Sequence, residues 1–177
     1  MSVMTLASSA AEMVHEYTRG EFVISTDRSR IDRDVVHEFL TNCYWAKGIP
    51  REVVARSIEN SLCFGIYHER DTKSPRLAKE ARGGAPAQVG FARVISDFAT
   101  IAYLGDVFIL EAYRGRGLSK WLRQCIMEHP AVQGLRRWIL LTRDAHGLYS
   151  QFGFTPARAP ESYMEGHRPD VYQVIGT

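Results

Sequence analysis

The sequence has few cysteines and no close pair of them. Three are present among 177 residues, Cys43, Cys63 and Cys125, and they lie far apart. An odd number of cysteines without a CxxC or Cys/His ligand spacing argues against a disulfide framework and against a structural zinc site. We therefore expect three reduced core residues in a cytoplasmic protein that holds no metal.

Long hydrophobic runs and a large net charge are also absent. No apolar stretch approaches the ~20 residues that span a bilayer, and the first 20 residues lack the basic start and apolar run of a signal peptide. The 22 Lys and Arg against 20 Asp and Glu give a net charge of +2, so we expect no nucleic-acid or membrane partner. Length and composition predict an N-terminal extension, residues 1–20, and one globular domain, residues 21–177.

The hydrophobic pattern predicts a mixed α/β chain, with strands at short apolar runs and helices where apolar residues recur every three or four positions. We expect a long loop over residues 69–87, which contain two prolines and a Gly-Gly pair. The helices are predicted to begin near Asp32, at Pro50, just before Leu118 and at Ala145. The predicted strands are 21–25, 62–68, 88–97, 101–110, 137–142 and 171–175.

The most informative segment is the turn formed by residues 114–119 (RGRGLS), which lies between a predicted buried strand and a predicted helix. A helix N-terminus exposes unpaired N–H groups and the positive end of the helix dipole, and glycines there let a phosphate approach the main chain. Arg114 and Arg116 add positive charge. The spacing matches neither a P-loop nor a dinucleotide-binding turn. The same glycines would also suit a plain strand-to-helix turn.

This turn resembles motif A of the GNAT N-acetyltransferases, R/Q-x-x-G-x-G/A at a strand–helix junction. Arg114 and Gly117 match the first two positions, and Ser119 stands where the family carries glycine or alanine. A second segment, 148–154 (LYSQFGF), resembles the LYxxxGF segment of the same family. The two segments occur in the order that the family shows, and the resemblance is strongest over residues 88–154.

The resemblance implies a GNAT-like α/β fold, a mixed and mostly antiparallel central sheet flanked by helices. Acetyl-coenzyme A (acetyl-CoA) would lie in a splay between the fourth and fifth predicted strands, 101–110 and 137–142. Splayed strands leave main-chain N–H and C=O groups unpaired, and an amide-rich pantetheine satisfies them. The implied cofactor-binding residues are Val107, Phe108, Ile109, Arg114, Gly115, Arg116, Gly117, Leu118, Ser119 and, by its distance from the motif tyrosine, Thr142, with Asp144 as the closer chemical match.

For catalysis, the resemblance assigns Tyr149 as the general acid that protonates the departing thiolate of coenzyme A, although an aromatic residue at this place could also simply be packed. A main-chain N–H near Val107 or Phe108 could stabilise the oxyanion. Tyr103 stands where the histone-modifying branch of the family carries a glutamate. Asp106, Glu111 and His146 remain candidates for the base, but ordered water would suffice.

Acceptor substrates in the family bind between the first two helices and the last strands. This position indicates Tyr44 and Trp45 between the helices and, near the C-terminus, Tyr163, Met164, His167 and Arg168. Tyr103 and Asp106, on the strand beside the splay, are further candidates for substrate contact.

The resemblance implies transfer of an acetyl group from acetyl-CoA to a primary amine of a small molecule, by direct attack in a ternary complex. Two alternatives stay open, namely acetylation of a protein or peptide amine, and an acyl-CoA-binding module without catalysis. Many relatives form homodimers through their C-terminal strands, so a homodimer is a further expectation.

Overall fold

The computed structural model describes residues 13–69 and 86–172, and the strands in these two ranges form one six-stranded sheet. The order of the strands in the sheet follows their order in the chain. Adjacent strands are antiparallel along the sheet except for the last pair, which is parallel. The strands are β1 (Glu16–Arg19), β2 (Phe22–Ser25), β3 (Leu62–His68), β4 (Ala87–Ser96), β5 (Ile101–Ile109) and β6 (Arg137–Ile139).

The helices begin close to the residues from which the sequence predicts them. Asp32 caps the first helix, because its carboxylate accepts hydrogen bonds from the N–H groups of Asp34 and Val35. Pro50 stands immediately before the second helix, where its missing N–H costs nothing. The helices are α1 (Arg33–Asn42), α2 (Arg51–Glu59), α3 (Leu118–Glu128) and α4 (His146–Ser150).

Two apolar clusters, one on each face of the sheet, hold the fold together. On one face α3 packs against β2, β3, β4 and β5, and on the other face α1 and α2 pack against the same central strands. Every residue of β3 is buried, because side chains that alternate along a strand meet helices on both sides. This arrangement explains why β3 and β5 are nearly continuous apolar runs in the sequence. The expected mixed, mostly antiparallel sheet flanked by helices is confirmed.

Strand β1 is an addition to the predicted elements, and it lies inside the predicted extension of residues 1–20. It pairs with β2, with Tyr17 opposite Ile24, and Glu16 forms an ion pair with Arg30. The segment carries one large apolar residue in four, and as a largely exposed edge strand it needs no more. The domain boundary at residue 20 stays a prediction.

Three other predicted segments differ from the structure or lie beyond it. The predicted strand 137–142 is shorter, since β6 ends at Ile139. Of the predicted strand 171–175, Val171 and Tyr172 lie in a turn and the rest lies outside the described residues. The predicted loop 69–87 likewise falls mostly outside them. None of the helices in residues 13–69 and 86–172 is long and apolar enough to cross a membrane.

The pairing of β5 with β6 is confined to one end of β5. Residues Ile101, Ala102 and Tyr103 pair with β6, and no described strand pairs with the same edge of residues 104–109. On its other side β5 pairs with β4 along most of its length, with a register shift between Phe91 and Arg93. Asp106, opposite this bulge, has a positive φ of 54°. Beyond Tyr103 one edge of β5 therefore has no strand partner among residues 13–69 and 86–172.

Candidate active site

An open cleft of about 550 Å³ lies beside the unpaired edge of β5. The end of β5, the turn before α3 and the start of α4 form its walls, with Phe39 of α1 and Trp45 closing one side. Arg116 and Thr142 are not among the lining residues. The predicted cofactor-binding residues that do line it are Val107, Phe108, Ile109, Arg114, Gly115, Gly117, Leu118 and Ser119.

The turn before α3 presents main chain rather than side chains to the cleft. Gly115 and Gly117 both have left-handed φ angles, 75° and 72°, which glycine adopts without strain. Gly117 is the N-cap of α3, and no side chain there bonds the first N–H groups of the helix. The first turn of α3 also carries no acidic residue. These N–H groups and the positive end of the helix dipole suit an anionic group.

Three arginine side chains lie in or next to this turn. Arg114 is held at the end of β5, because its Nε donates a hydrogen bond to the carbonyl of Ile109 over 3.2 Å. The guanidinium of Arg116 lies 5.3 Å from the ring of Tyr113. Arg19 approaches from β1, with its guanidinium 4.7 Å from the Trp121 ring and its Nη2 3.4 Å from the carbonyl oxygen of Arg116. Sequence reasoning missed Arg19 because it did not predict β1.

Tyr149 lies on α4 next to Leu148, which lines the cleft. Its ring is half-buried and makes an edge contact with Phe154 at 5.9 Å between centroids. Burial raises the pKa of its phenol, and the positive charge of Arg123 acts in the opposite direction. Burial therefore favours the protonated form of this tyrosine, which follows the lining residue Leu148 and is not itself among the residues that line the cleft.

The structure separates Thr142 from Asp144, the two candidates before α4. The hydroxyl of Thr142 accepts a hydrogen bond from the N–H of Ala145 over 3.1 Å, so it orients the chain that enters α4. Asp144 lines the cleft itself, as does Ala145. The cofactor-binding role assigned to Thr142 stays a prediction. Of the two residues, only Asp144 is in the lining of the cleft.

Asp106 is committed to two partners. Its carboxylate forms an ion pair with the Arg93 guanidinium and accepts a hydrogen bond from Trp45 Nε1 over 3.2 Å. Both oxygens of the Asp106 carboxylate are thus engaged by protein donors. The same contacts fix the Trp45 ring in the wall of the cleft.

The remaining substrate candidates lie at different distances from the cleft. Tyr44 touches Trp45 edge-on at 5.0 Å and carries the guanidinium of Arg143 at 4.1 Å from its ring. Tyr103 is half-buried, and burial followed by the charge of Asp106 raises its pKa. The predicted C-terminal candidates Tyr163, Met164, His167 and Arg168 are all exposed and are not among the residues that line the cleft.

Phe39 is a wall of the cleft that sequence reasoning missed. Its ring stacks on Phe108 with centroids 3.9 Å apart and planes 8° from parallel. In the sequence Phe39 belongs to the apolar stripe of α1, and nothing in that stripe separates a cleft residue from a core residue. Its position beside the end of β5 becomes visible only once α1 is packed on the sheet.

The chain matches a known family over the part that builds this cleft. Residues 78–156 match the family described as "Acetyltransferase (GNAT) domain". A curated protein of Gibberella zeae, "Putative acetyltransferase FG08082", is 33% identical over 149 residues, which cover 76% of this chain and 79% of that protein. The fold is thus that of an acetyltransferase class, and the chain belongs to the GNAT acetyltransferase family.

Solved structures agree with this assignment. The crystal structure of a GNAT-family protein from Xanthomonas campestris pv. campestris is 47% identical, superposes with a TM-score of 0.75, and matches 88% of this chain and 99% of its own. A Clostridium acetobutylicum structure, described as an acetyltransferase with acetyl-CoA, is 12% identical with a TM-score of 0.55, and covers 88% of this chain and 96% of its own. At that identity the second similarity supports the fold alone.

Proposed function

We propose that this protein transfers an acetyl group from acetyl-CoA to a primary amine of a small molecule, by direct attack in a ternary complex. One observation carries the proposal. The free edge of β5 at Val107–Ile109 and the glycine turn at the start of α3 line the same cleft. Together they offer main-chain partners for a chain of amides and, beside them, a site for phosphates.

The residues present fit coenzyme A at both ends of the cleft. The main chain at Val107, Phe108 and Ile109 would bond the pantetheine, and the N–H groups after Gly117 would bond the pyrophosphate. No heavy atom stands within 4 Å of the place where a Cβ of Gly115 would be, so the turn leaves room for close approach. The charges of Arg114, Arg116 and Arg19 would complement the phosphates.

The acyl donor supplies an activated thioester, and this chain supplies position and proton transfer. A neutral amine attacks the carbonyl carbon of the acetyl group, and a main-chain N–H near Val107 or Phe108 would stabilise the oxygen as it gains charge. Tyr149 gives its phenolic proton to the departing sulfur. Since Asp106 is already paired with Arg93 and Trp45, we assign removal of the amine proton to water rather than to a carboxylate.

The acceptor would enter beside Trp45, the aromatic side of the cleft. Trp45 is exposed over 44% of its surface and is fixed by Asp106, so it offers a rigid apolar wall. Tyr103 takes the place of the glutamate of the histone-modifying branch, which favours a small amine over a protein lysine. A homodimer and the domain limits at residues 21–177 remain part of the proposal.

Two measurements on the purified full chain test the proposal. Calorimetry should show binding of acetyl-CoA with a dissociation constant in the micromolar range. A panel of amino acids, polyamines, aminoglycosides and peptides, assayed for free thiol, should give turnover with a small amine. The same panel with the Tyr149→Phe protein controls for thiol release that does not use the site.

The outcomes separate the alternatives. Binding of acetyl-CoA without thiol release from any amine would identify a non-catalytic acyl-CoA-binding module. Turnover with peptides alone would identify a protein or peptide acetyltransferase. If acetyl-CoA gives neither heat in calorimetry nor a thermal shift, the protein does not bind it, and this result would contradict the proposal.

A further inference from the structure

Arg123 is a buried cation without an anionic partner in the part of the chain that the structure describes. It stands on α3 and is 1% exposed, and its guanidinium nitrogens make no hydrogen bond to a carboxylate or a carbonyl there. No carboxylate of residues 13–69 or 86–172 comes within 4.0 Å of it. Burial of an unpaired charge is costly, and apolar residues often replace buried ions without loss of stability. A role beyond folding would explain its presence.

Two aromatic rings enclose this guanidinium. Its Cζ lies 5.1 Å from the centroid of Tyr149 and 5.0 Å from that of Phe152, both in the segment that resembles the family's LYxxxGF sequence. Cation–π attraction offsets part of the cost of desolvation and holds both rings against α3. The proposed general acid is therefore in direct contact with the buried charge.

The other titratable groups that act on Tyr149 are both tyrosines. They are Tyr44, from the segment between α1 and α2, and Tyr103, from β5. Arg123 is therefore the cation that faces the Tyr149 phenol from the elements described around it. A carboxylate beside Arg123 would neutralise this charge. No carboxylate of the described residues pairs with Arg123, so its full charge acts on the Tyr149 phenol.

We propose that Arg123 is a positioning residue for Tyr149, which holds the ring in place and stabilises the phenolate that forms when Tyr149 donates its proton. This inference rests on the proposed acetyl transfer. When the tetrahedral adduct collapses, the C–S bond breaks and its electron pair stays on sulfur. The Tyr149 proton then moves to the sulfur, giving free coenzyme A and a phenolate. The proton lost by the amine returns to the phenolate through water.

The positive charge of Arg123 lies beside the side chain that becomes negative when Tyr149 donates its proton. In a poorly solvated environment, a positive charge in contact with the tyrosine ring stabilises a phenolate far more than it would in water. It changes the neutral phenol little, so the stabilisation is larger in the transition state than in the ground state. The pKa of Tyr149 shows both influences, since burial raises it and Arg123 lowers it.

The substitution Arg123→Met tests this role, because it keeps an unbranched apolar stem and removes the charge. We expect kcat to fall at least tenfold, KM for acetyl-CoA to stay within twofold, and the melting temperature to stay equal or rise. The alkaline limb of the kcat profile should move to higher pH, since the phenol loses its stabilising cation. Arg56→Met, at an exposed position on α2, is the matched control and should match the unchanged protein.

Arg123→Lys separates charge from shape and serves if the Met variant does not fold. It keeps a cation at this place, so it should retain most of kcat. A loss with Lys as large as with Met, in a folded protein, would overturn the assignment of charge. A lower melting temperature and raised KM with unchanged kcat in Arg123→Met would show a merely structural role and would also overturn it.

A measurement that needs no turnover separates this inference from the proposed function. With ¹³C-labelled tyrosine, the Tyr149 resonance, assigned by Tyr149→Phe, should titrate at higher pH in Arg123→Met than in the unchanged protein. An unchanged titration would overturn the inference whatever the activity. The expected titration without thiol release from any amine would leave the Arg123–Tyr149 pair standing and reject acetyl transfer instead. With turnover present, Arg123→Met added to Tyr149→Phe should cause no further loss.

Discussion

The two parts of β5 have similar sequences and different surroundings. At Ala102 and Tyr103 the strand is paired on both sides, with β4 and with β6. At Phe108 and Ile109 it is paired with β4 alone among the described strands, and Val107, Phe108 and Ile109 line the cleft. Asp106, with its positive φ, lies between the two parts.

The difference shows how a sheet can hold a binding site without dedicated polar side chains. Residues in both parts are apolar, whether buried or partly exposed, and the unpaired part still offers main-chain donors and acceptors. An unpaired edge inside a protein costs free energy unless water or a ligand satisfies it. The account therefore assigns structure to the first part of β5 and cofactor binding to the last.

The largest effect should come from closing the phosphate end of the cleft, beside the last part of β5. In Gly117→Leu a side chain would stand where the phosphates approach, on a residue with φ of 72°. We expect acetyl-CoA binding to weaken at least 100-fold in calorimetry. Gly134→Leu is the control, because Gly134 has a similar φ of 74° and does not line the cleft.

Both glycine variants carry comparable backbone strain, so both should melt at a lower temperature than the unchanged protein. The Gly134 variant should still bind acetyl-CoA with its ordinary affinity at a temperature where it is folded. Equal loss of binding in the two variants would mean that strain, and not access to the turn, controls affinity.

The next largest effect should come from Tyr149, and it should separate the chemical step from the binding of acetyl-CoA. Tyr149→Phe removes one hydroxyl beside the cleft, so we expect kcat to fall about 100-fold or more, the range for loss of a general acid. The dissociation constant of acetyl-CoA should change less than twofold. Tyr17→Phe, on β1, is the control and should keep the full rate. An unchanged kcat in Tyr149→Phe would remove the catalytic role of this residue.

The smallest effect concerns His129, a core residue that does not line the cleft. His129 follows α3, is fully buried, accepts a hydrogen bond from the Ala131 N–H through Nδ1, and contacts the rings of His15 and Phe64. Burial, followed by the nearby His15, lowers its pKa to about 4. The folded protein thus holds a neutral histidine that the unfolded chain would protonate near pH 6.5.

The sign of the pH effect follows from these two values. Above pH 6.5 neither state binds the proton, and the stability is fully present. Between pH 6.5 and 4 the unfolded chain binds it and the folded protein does not, so the free energy of unfolding falls, by about 3 kcal/mol at most. His129→Asn, whose Oδ1 can replace Nδ1 as acceptor, should flatten this dependence in thermal melts at pH 4–8. The same slope in both proteins would contradict it, and acetyl-CoA binding at pH 7 should not change.

Much of the fold could be predicted from local patterns. β3, β5, α1, α2 and α3 have strong periodicity or long apolar runs, and their ends carry proline, aspartate or glycine signals. Packing on both faces of the sheet reinforces what the local sequence favours. The two motif segments likewise led to the turn before α3, which lines the cleft, and to Tyr149, which is next to the lining residue Leu148. The catalytic role of Tyr149 stays a prediction.

The rest depends on contacts between segments far apart in the chain. β1 is held by its pairing with β2 and not by its own composition, and it brings Arg19 to a turn that lies 97 residues away. Arg123 looks like an ordinary polar position of α3 until the segment after α4 covers it. β6 ends at Ile139, where its pairing with β5 ends at Tyr103. The end of this pairing depends on both strands and cannot be predicted from the sequence of either one alone.

The most direct test of the account is amide hydrogen exchange along β5, with and without saturating acetyl-CoA. The account predicts that exchange slows at Val107–Ile109 and in the first turn of α3. It should stay unchanged at Ala102 and Tyr103, where both edges are already paired. Exchange at Val107–Ile109 that does not respond to bound acetyl-CoA would contradict the claim that the unpaired end of β5 binds the cofactor.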